Sequence, residues 1–311
     1  MGQLIPVITG PTASGKSDAA VLLARAWGTE IISADSRQVY KYLDIGTAKP
    51  EKPILQEVKH HFVDYLEPDE VFSAGRFEQE GRRVCRDLLN EGKLPIVCGG
   101  TGLYIQALRE GIIPVEADQE YRKYLKEIFE KSGAEGLHNE LKKNDPDAAE
   151  RIPSATYKRV ARALEVMHVT GESILRQMEN QKKHDDLNFV IYCLMPEREY
   201  LYGRINKRAA EMVERGLIAE TEKLLALYPE GVNSLNTVGY KETISYLKSE
   251  ISKDEMIRLI QRNTRHFAKR QYTWFRSMEE VHYIQTSACY DSELIAQYIA
   301  DDFNERQQNE T

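Results

Sequence analysis

Residues 10–17 read Gly10-Pro11-Thr12-Ala13-Ser14-Gly15-Lys16-Ser17, with glycines, a lysine and a hydroxyl at the spacing that cradles phosphate. Gly10 and Gly15 let the backbone turn tightly, so that successive N–H groups point inward at phosphate oxygens. Lys16 brings a mobile cation, and the Ser17 hydroxyl suits a Mg2+ ion bridging two phosphates. A second group is Asp35-Ser36-Arg37-Gln38. Asp35 can ligate a metal, accept a proton or cap the following turn, while Arg37 and Gln38 offer hydrogen-bond donors. A third is Gly99-Gly100-Thr101-Gly102, where glycines permit close approach and Thr101 supplies a hydroxyl. No carboxylate stands there, although nucleotide-hydrolysing phosphate-loop enzymes end another strand in an Asp that helps hold Mg2+. Its absence weighs against hydrolysis and towards departure of an intact diphosphate. Arg204 and Arg208, four residues apart, share one helix face and either neutralise departing phosphates or face solvent.

The elements that must position these groups follow from hydrophobic pattern. Leu4–Thr9 is a short apolar run ahead of the glycine loop, and Asp18–Trp27 a helix whose N-terminal dipole would face the anion. Strands are also predicted over Glu30–Ala34, His61–Tyr65 and Leu94–Cys98, with helices over Ala74–Asn90 and Gly102–Glu110. That alternation predicts an α/β fold, a doubly wound and mainly parallel sheet of the phosphate-loop type. Residues 116–185 are rich in Lys, Glu and Ala and predict a helical insertion without strands. The core then resumes over residues 186–311. It carries a strand over Phe189–Met195, helices over Glu197–Arg215, Leu217–Leu227 and Lys253–Phe275, and a last strand over Val281–Ile284. The polar end from Asn304 to Thr311 is expected to fray.

Composition bounds the function. The chain has 311 residues, 41% hydrophobic and 29% charged, which is ordinary globular composition. No apolar run approaches the roughly 20 residues that span a bilayer, and no charged-then-apolar leader opens the chain. Cys85, Cys98, Cys193 and Cys289 lack metal-site spacing, which suits a reducing cytoplasm rather than a disulfide framework. The net charge of −7 is segregated, because no acidic residue occurs between Met256 and Met278. There Arg258, Arg262, Arg265 and Lys269 are spaced to line one helix face, as a polyanionic partner or plain solvation would allow.

The chain as a whole resembles the tRNA dimethylallyltransferases, also called isopentenyl-tRNA transferases. The resemblance rests on GPTASGKS from Gly10, the run from Ile32 to Pro50, VCGGTGLYIQAL from Val97 and RVARALEV from Arg159. NTVGYKE from Asn236 and TRHFAKRQYTWFR from Thr264 add to it. It implies transfer of a dimethylallyl group from its diphosphate to N6 of adenosine 37, in tRNAs reading codons that begin with U. It also implies dependence on Mg2+ at Ser17 and an insertion that grips the anticodon stem. Asp35 would be the general base, and Lys16, the loop amides and Arg208 would hold the diphosphate. Thr101 would line the channel where base and donor meet. Asp35, Ser36, Arg37, Gln38 and Thr101 would contact the flipped base and its neighbours. Lys158, Arg159, Val160, Ala161 and Arg162, with Arg122 and Gln271, would contact tRNA. The C-terminal region lacks the Cys/His cluster of some eukaryotic members, so the chain is similar to bacterial ones, and a cytoplasmic monomer is expected. Alternatives to transfer onto tRNA are a small-molecule kinase, a non-catalytic nucleotide-dependent RNA binder, and an enzyme prenylating free AMP.

Overall fold

The structure, a computed structural model, describes residues 3–115, 118–180, 186–286 and 291–310. Cys289 and the expected insertion bounds at 116 and 185 lie outside these. The chain divides into two compact units, residues 1–110 with 185–311, and residues 111–184. Among the described residues no helix is long and apolar enough to cross a membrane.

The larger unit is built on six strands: β1 (Gln3–Thr9), β2 (Ile31–Ser33), β3 (His60–His61), β4 (Ile96–Gly99), β5 (Leu187–Pro196) and β6 (Val281–Thr286). Their order is β3-β2-β4-β1-β5-β6, and every neighbouring pair is parallel. Central β1 pairs with β5 from Gln3↔Leu187 to Thr9↔Cys193 and with β4 from Val7↔Val97 to Thr9↔Gly99. A strand covered on both faces should be apolar throughout, and Leu4 to Thr9 are all buried. Helix α1 (Lys16–Trp27) follows β1, and its Ala19, Ala20, Leu23 and Ala24 pack on the sheet with Ile299 and Phe303 of α13 (Ser292–Glu310). Helices α2 (Lys52–Glu57), α3 (Ala74–Asn90) and α4 (Gly102–Glu110) complete the first half. The second half adds α9 (Arg198–Glu214), α10 (Leu217–Leu227), α11 (Tyr240–Leu247) and α12 (Lys253–Arg276).

Two expectations change. The strand predicted over His61–Tyr65 reduces to His60–His61, because Phe62 and Asp64 adopt left-handed φ of 61° and 53° and leave the sheet. The tail from Asn304 does not fray before Glu310: it continues α13, where Arg306 pairs with Asp302 at 2.6 Å one turn earlier.

The smaller unit is helical: α5 (Gln119–Asn144, broken at Gly133), α6 (Pro146–Arg151), α7 (Tyr157–Thr170) and α8 (Ile174–Asn180). Its own core gathers Leu125, Leu137, Leu141, Val160, Leu164 and Val166.

Close packing at the ends of the strands fixes where side chains cannot be added. A Cβ on Gly99 would lie 2.2 Å from the Ala34 carbonyl oxygen, backbone against backbone. Gly99→Ala should therefore cost about 3 kcal/mol of stability, the upper range for overpacking, as read from the midpoint of urea unfolding. An unchanged midpoint would show that β2 and β4 can separate freely at this point.

Candidate active site

In an open parallel sheet the ligand site lies beyond the carboxyl ends of the strands. The neighbours β2, β4 and β1 end there in Asp35, Thr101 and the Gly10–Ser17 loop, so the sheet order itself brings the three sequence groups into one row. The loop is held open by Gly10 at φ 146° and Gly15 at φ 92°, and a Cβ on Gly10 would meet the Leu194 carbonyl at 2.6 Å. Within it the Ser14 side-chain oxygen is buried without a hydrogen-bond partner. Such a hydroxyl is available to an anion or a water that enters the loop. Two cations meet at this loop. Lys16 Nζ donates to the Pro11 carbonyl at 3.4 Å, and Arg208 of α9 donates to Thr12 Oγ1 at 2.5 Å. Burial lowers the Lys16 pKa, Asp35 opposes that shift and Arg208 adds to it. Burial, helped by the neighbouring Arg204, likewise holds Arg208 down at about 10. Two desolvated cations at one loop, one of them further depressed by the other, make a site that favours an anion.

Asp35 closes the turn after β2. Its Oδ1 accepts the backbone N–H groups of Arg37 at 2.8 Å and Gln38 at 3.2 Å. The capping role and the chemical role are thus compatible: one oxygen fixes the carboxylate, and Oδ2 accepts no hydrogen bond among the described residues. Thr101 Oγ1 accepts from the Ser36 N–H at 3.0 Å, and Thr101 N–H donates to the Ala34 carbonyl at 3.1 Å. The Arg37 guanidinium donates to the Asn233 carbonyl at 2.8 Å. Gln38 Nε2 donates to the carbonyls of Thr47 at 3.2 Å and Ala48 at 3.0 Å, so its amide braces a neighbouring loop.

A cavity of about 300 Å3 joins these groups, with Thr12, Asp35, Ser36, Arg37, Thr101 and Arg208 on its wall. Gly100 and Gln271, also singled out in the sequence, line it too, but its apolar part was not anticipated. Ile205, Ala209 and Met212 lie on the Arg208 side of α9, opposite Ile260 of α12, and all four are buried apolar residues. Their i, i+4, i+7 spacing was visible, but the same spacing marks any core-facing helix. Gly46, Thr237 and Val238 also line the cavity, from loops with no periodic signal.

Gln271, expected to touch tRNA, is 7% exposed and serves as a bolt. Its Oε1 accepts the Thr12 N–H at 2.8 Å and its Nε2 donates to the Gly100 carbonyl at 2.8 Å, tying α12 to the phosphate loop and to the β4 end. Of the basic face, Arg258 forks onto Glu255 and Arg265 donates to Asn206 Oδ1 at 2.5 Å; Arg258, Arg262 and Lys269 are exposed, as is the neighbouring Arg270.

In the helical unit Lys158 and Arg159 are exposed, and Ala161 is half-buried. Val160 is fully buried in the core and offers no side-chain surface to an RNA. Arg122 grips Glu165 with both arms, at 2.6 and 3.1 Å, and Arg162 joins the same carboxylate at 3.3 Å while donating to the Ile113 carbonyl. The Glu165 side chain is only 10% exposed, so these arginines neutralise a buried charge within the unit.

Fold and site define a phosphate-loop α/β protein that sets a carboxylate beside two cations gathered at the loop. A family model described as IPP transferase matches residues 38–278. The chain is 46% identical over 282 residues to a tRNA dimethylallyltransferase of Acetivibrio thermocellus, covering 89% of this chain and 90% of that one. It is 45% identical over 278 residues to one of Thermotoga maritima, with the same coverage. Among solved structures it is similar to the full-length tRNA isopentenylpyrophosphate transferase of Bacillus halodurans, at TM-score 0.72 and 36% identity over 100% of this chain and 99% of that one. It is also similar to a eukaryotic dimethylallyltransferase acting on tRNA, at TM-score 0.84 and 27% identity over 98% of this chain and 80% of that one. The chain belongs to the IPP transferase family.

The depressed cations set a pH dependence. Anion binding needs both charged, so affinity falls as pH rises through the lowered Lys16 value and through about 10 for Arg208. Calorimetric titration with inorganic pyrophosphate should weaken steadily up this alkaline limb, and Lys16→Arg should flatten its first part. An affinity level from pH 7 to 10 would contradict the assignment.

Proposed function

We propose that this protein transfers the dimethylallyl group of dimethylallyl diphosphate to N6 of adenosine 37 in tRNAs reading codons that begin with U, releasing diphosphate. The observation that carries the reading is a cavity in which Asp35, Arg208 and an apolar wall of Ile205, Ala209, Met212 and Ile260 meet, with Thr12 of the Lys16 loop on its rim. The diphosphate would lie in the loop, receiving Lys16, Arg208, the backbone N–H groups and the orphaned Ser14 hydroxyl. The five-carbon chain would rest on the apolar wall, where water is excluded from the carbon that becomes cationic.

The adenine amine is a weak nucleophile because its lone pair is delocalised into the ring. As N6 bonds to the allylic carbon, the carbon–oxygen bond to the diphosphate breaks and its electron pair leaves with the phosphate oxygen. The N6 proton passes to the Asp35 carboxylate, whose Oδ1 is occupied by two backbone N–H groups and whose Oδ2 is open to it. Charge developing on the leaving group meets cations already in place, which is electrostatic preorganisation. Thr101 would steady the Asp35 turn through Ser36 and face the meeting point of base and donor.

Mg2+ fits the donor set. Among the described residues no three His, Cys, Asp or Glu side chains converge on a metal position. That suits an ion held by the Ser17 hydroxyl, diphosphate oxygens and water rather than by a protein cage. When bound it would supply further neutralisation of the departing diphosphate.

The target base must leave its stack to reach a half-buried carboxylate, so the acceptor is read as an extruded nucleotide. The exposed Lys158 and Arg159 of the helical unit, and Arg262, Lys269 and Arg270 of α12, are the cations available to phosphates of the anticodon stem-loop. The protein is proposed to act as a cytoplasmic monomer.

Asp35→Ala should lower turnover by at least about 10²-fold, the usual scale for a lost general base, with stem-loop affinity kept. Labelled donor and a synthetic anticodon stem-loop provide the assay, and near-normal turnover would refute the role. Stem-loop affinity should fall steeply with salt. Replacing Lys158 and Arg159 together by Ala should reduce the slope of log Kd against log salt by nearly 2, at about 0.9 per phosphate contact, whereas Val160→Ala should leave it unchanged.

A further inference from the structure

We propose that Glu220 is a positioning residue for the acceptor side of the reaction, fixing the segment Asp44–Ala48 and through it the Asp35–Gln38 turn; this rests on the transfer reaction proposed above. Glu220 lies on α10 and is absent from the cavity wall. Its carboxylate accepts three consecutive backbone N–H groups, those of Asp44 at 3.2 Å, Ile45 at 2.9 Å and Gly46 at 3.1 Å. Converging amides of this kind make an anion nest, and the protein fills this one with its own carboxylate. The Tyr240 hydroxyl donates to Glu220 Oε1 at 2.7 Å. Burial, with Glu220 beside it, pushes the Tyr240 phenol up, so it stays protonated and keeps donating.

The segment held in this way needs holding. Tyr42 at φ 66° and Ala48 at φ 51° bracket it in left-handed conformations that a non-glycine residue keeps only where its surroundings enforce them. Gly46 passes so close to Tyr240 that a Cβ would sit 2.5 Å from the ring. Lys49 pins the far end: its buried ammonium donates to the Tyr40 carbonyl at 2.9 Å and Asp44 Oδ1 at 2.6 Å, and also to Asp64.

Two outputs reach the cavity. Gly46 and Thr47 line it directly, and the carbonyls of Thr47 and Ala48 receive the Gln38 amide, which sits in the turn capped by Asp35. Tyr240 gives the second route, because it opens α11 one residue beyond the cavity residues Thr237 and Val238 and next to cavity residue Lys241. None of these contacts touches the phosphate loop, whose ties run through Gln271 and Arg208. Glu220 should therefore govern how the nucleotide is presented to the donor without governing how the diphosphate is held.

The test compares the unaltered protein with Glu220→Gln and Tyr240→Phe. Three quantities are measured for each: kcat for prenylation of an anticodon stem-loop, Kd for inorganic pyrophosphate by calorimetry, and the thermal midpoint. A glutamine presents only one acceptor oxygen to three amides and turns its own N–H groups towards the rest. Its kcat should fall about tenfold or more, a scale that loss of alignment by a fraction of an ångström can reach, with pyrophosphate Kd within about twofold. Tyr240→Phe leaves the nest intact and should lose about threefold in kcat, again with pyrophosphate binding kept. A purely structural role predicts instead that transfer and pyrophosphate binding fall together, in step with the folded fraction, and that result overturns the inference. Unimpaired kcat in Glu220→Gln overturns it as well. If that variant fails to fold, Tyr240→Phe decides, with unchanged kcat the refuting outcome. Absence of transfer by the unaltered protein would overturn the proposed reaction and this inference together, whereas transfer by it with unimpaired variants overturns the inference alone.

Discussion

The structure depends on holding two like charges, Lys16 and Arg208, beside one loop at the end of its central strand. Burial disfavours the charge on each, Arg208 adds to the depression of Lys16 and Arg204 to that of Arg208, and Asp35 opposes the shift on both. Such an arrangement costs free energy in the free protein and becomes favourable when a multivalent anion enters. The rest of the core serves to keep the two cations from separating. A β1 buried from Leu4 to Thr9 and paired with β4 and β5 gives the loop a rigid base. Arg208 is fastened to Thr12 by its own hydrogen bond, and Gln271 fastens the backbone of the same residue to Gly100.

Around that centre, polar side chains mostly brace backbone. Asp35 caps its own turn, Thr101 holds Ser36, Gln38 holds Thr47 and Ala48, and Glu220 fills a nest of three amides. Each satisfies a backbone group in a half-buried loop that the sheet cannot pair. Each also removes freedom from a group that faces the cavity, which is the form preorganisation takes when loops carry the chemistry. The left-handed residues Ala13, Tyr42, Ala48, Phe62 and Asp64 cluster in these same loops. Their strain is sustained by the dense network of ties.

The helical unit follows a different rule. Glu165 is nearly buried, and Arg122 and Arg162 converge on it, so two of the cations that motif position pointed to are spent on internal neutralisation. Arg159 and Lys158 face outward on the same helix. A run such as Arg159–Arg162 therefore mixes surface and core within one helical turn, with Val160 wholly inside.

The sequence by itself determined the phosphate loop, the parallel α/β core, the helical module and the carboxylate at Asp35, because each is encoded locally. A glycine-lysine spacing, an apolar run and a strand followed by a polar turn all lie within a few residues of one another. It left Asp35 with three roles and the His61–Tyr65 run as a strand, since a left-handed φ at Phe62 leaves no local signature. Only the tertiary structure decided that Asp35 caps with one oxygen while the other accepts no hydrogen bond among the described residues, and that Ile205, Met212 and Ile260 wall a cavity rather than a closed core. It alone turned Gln271 and Glu220 into ties between segments more than a hundred residues apart. Such ties depend on which surfaces the sheet order brings together, and no window of sequence contains both partners.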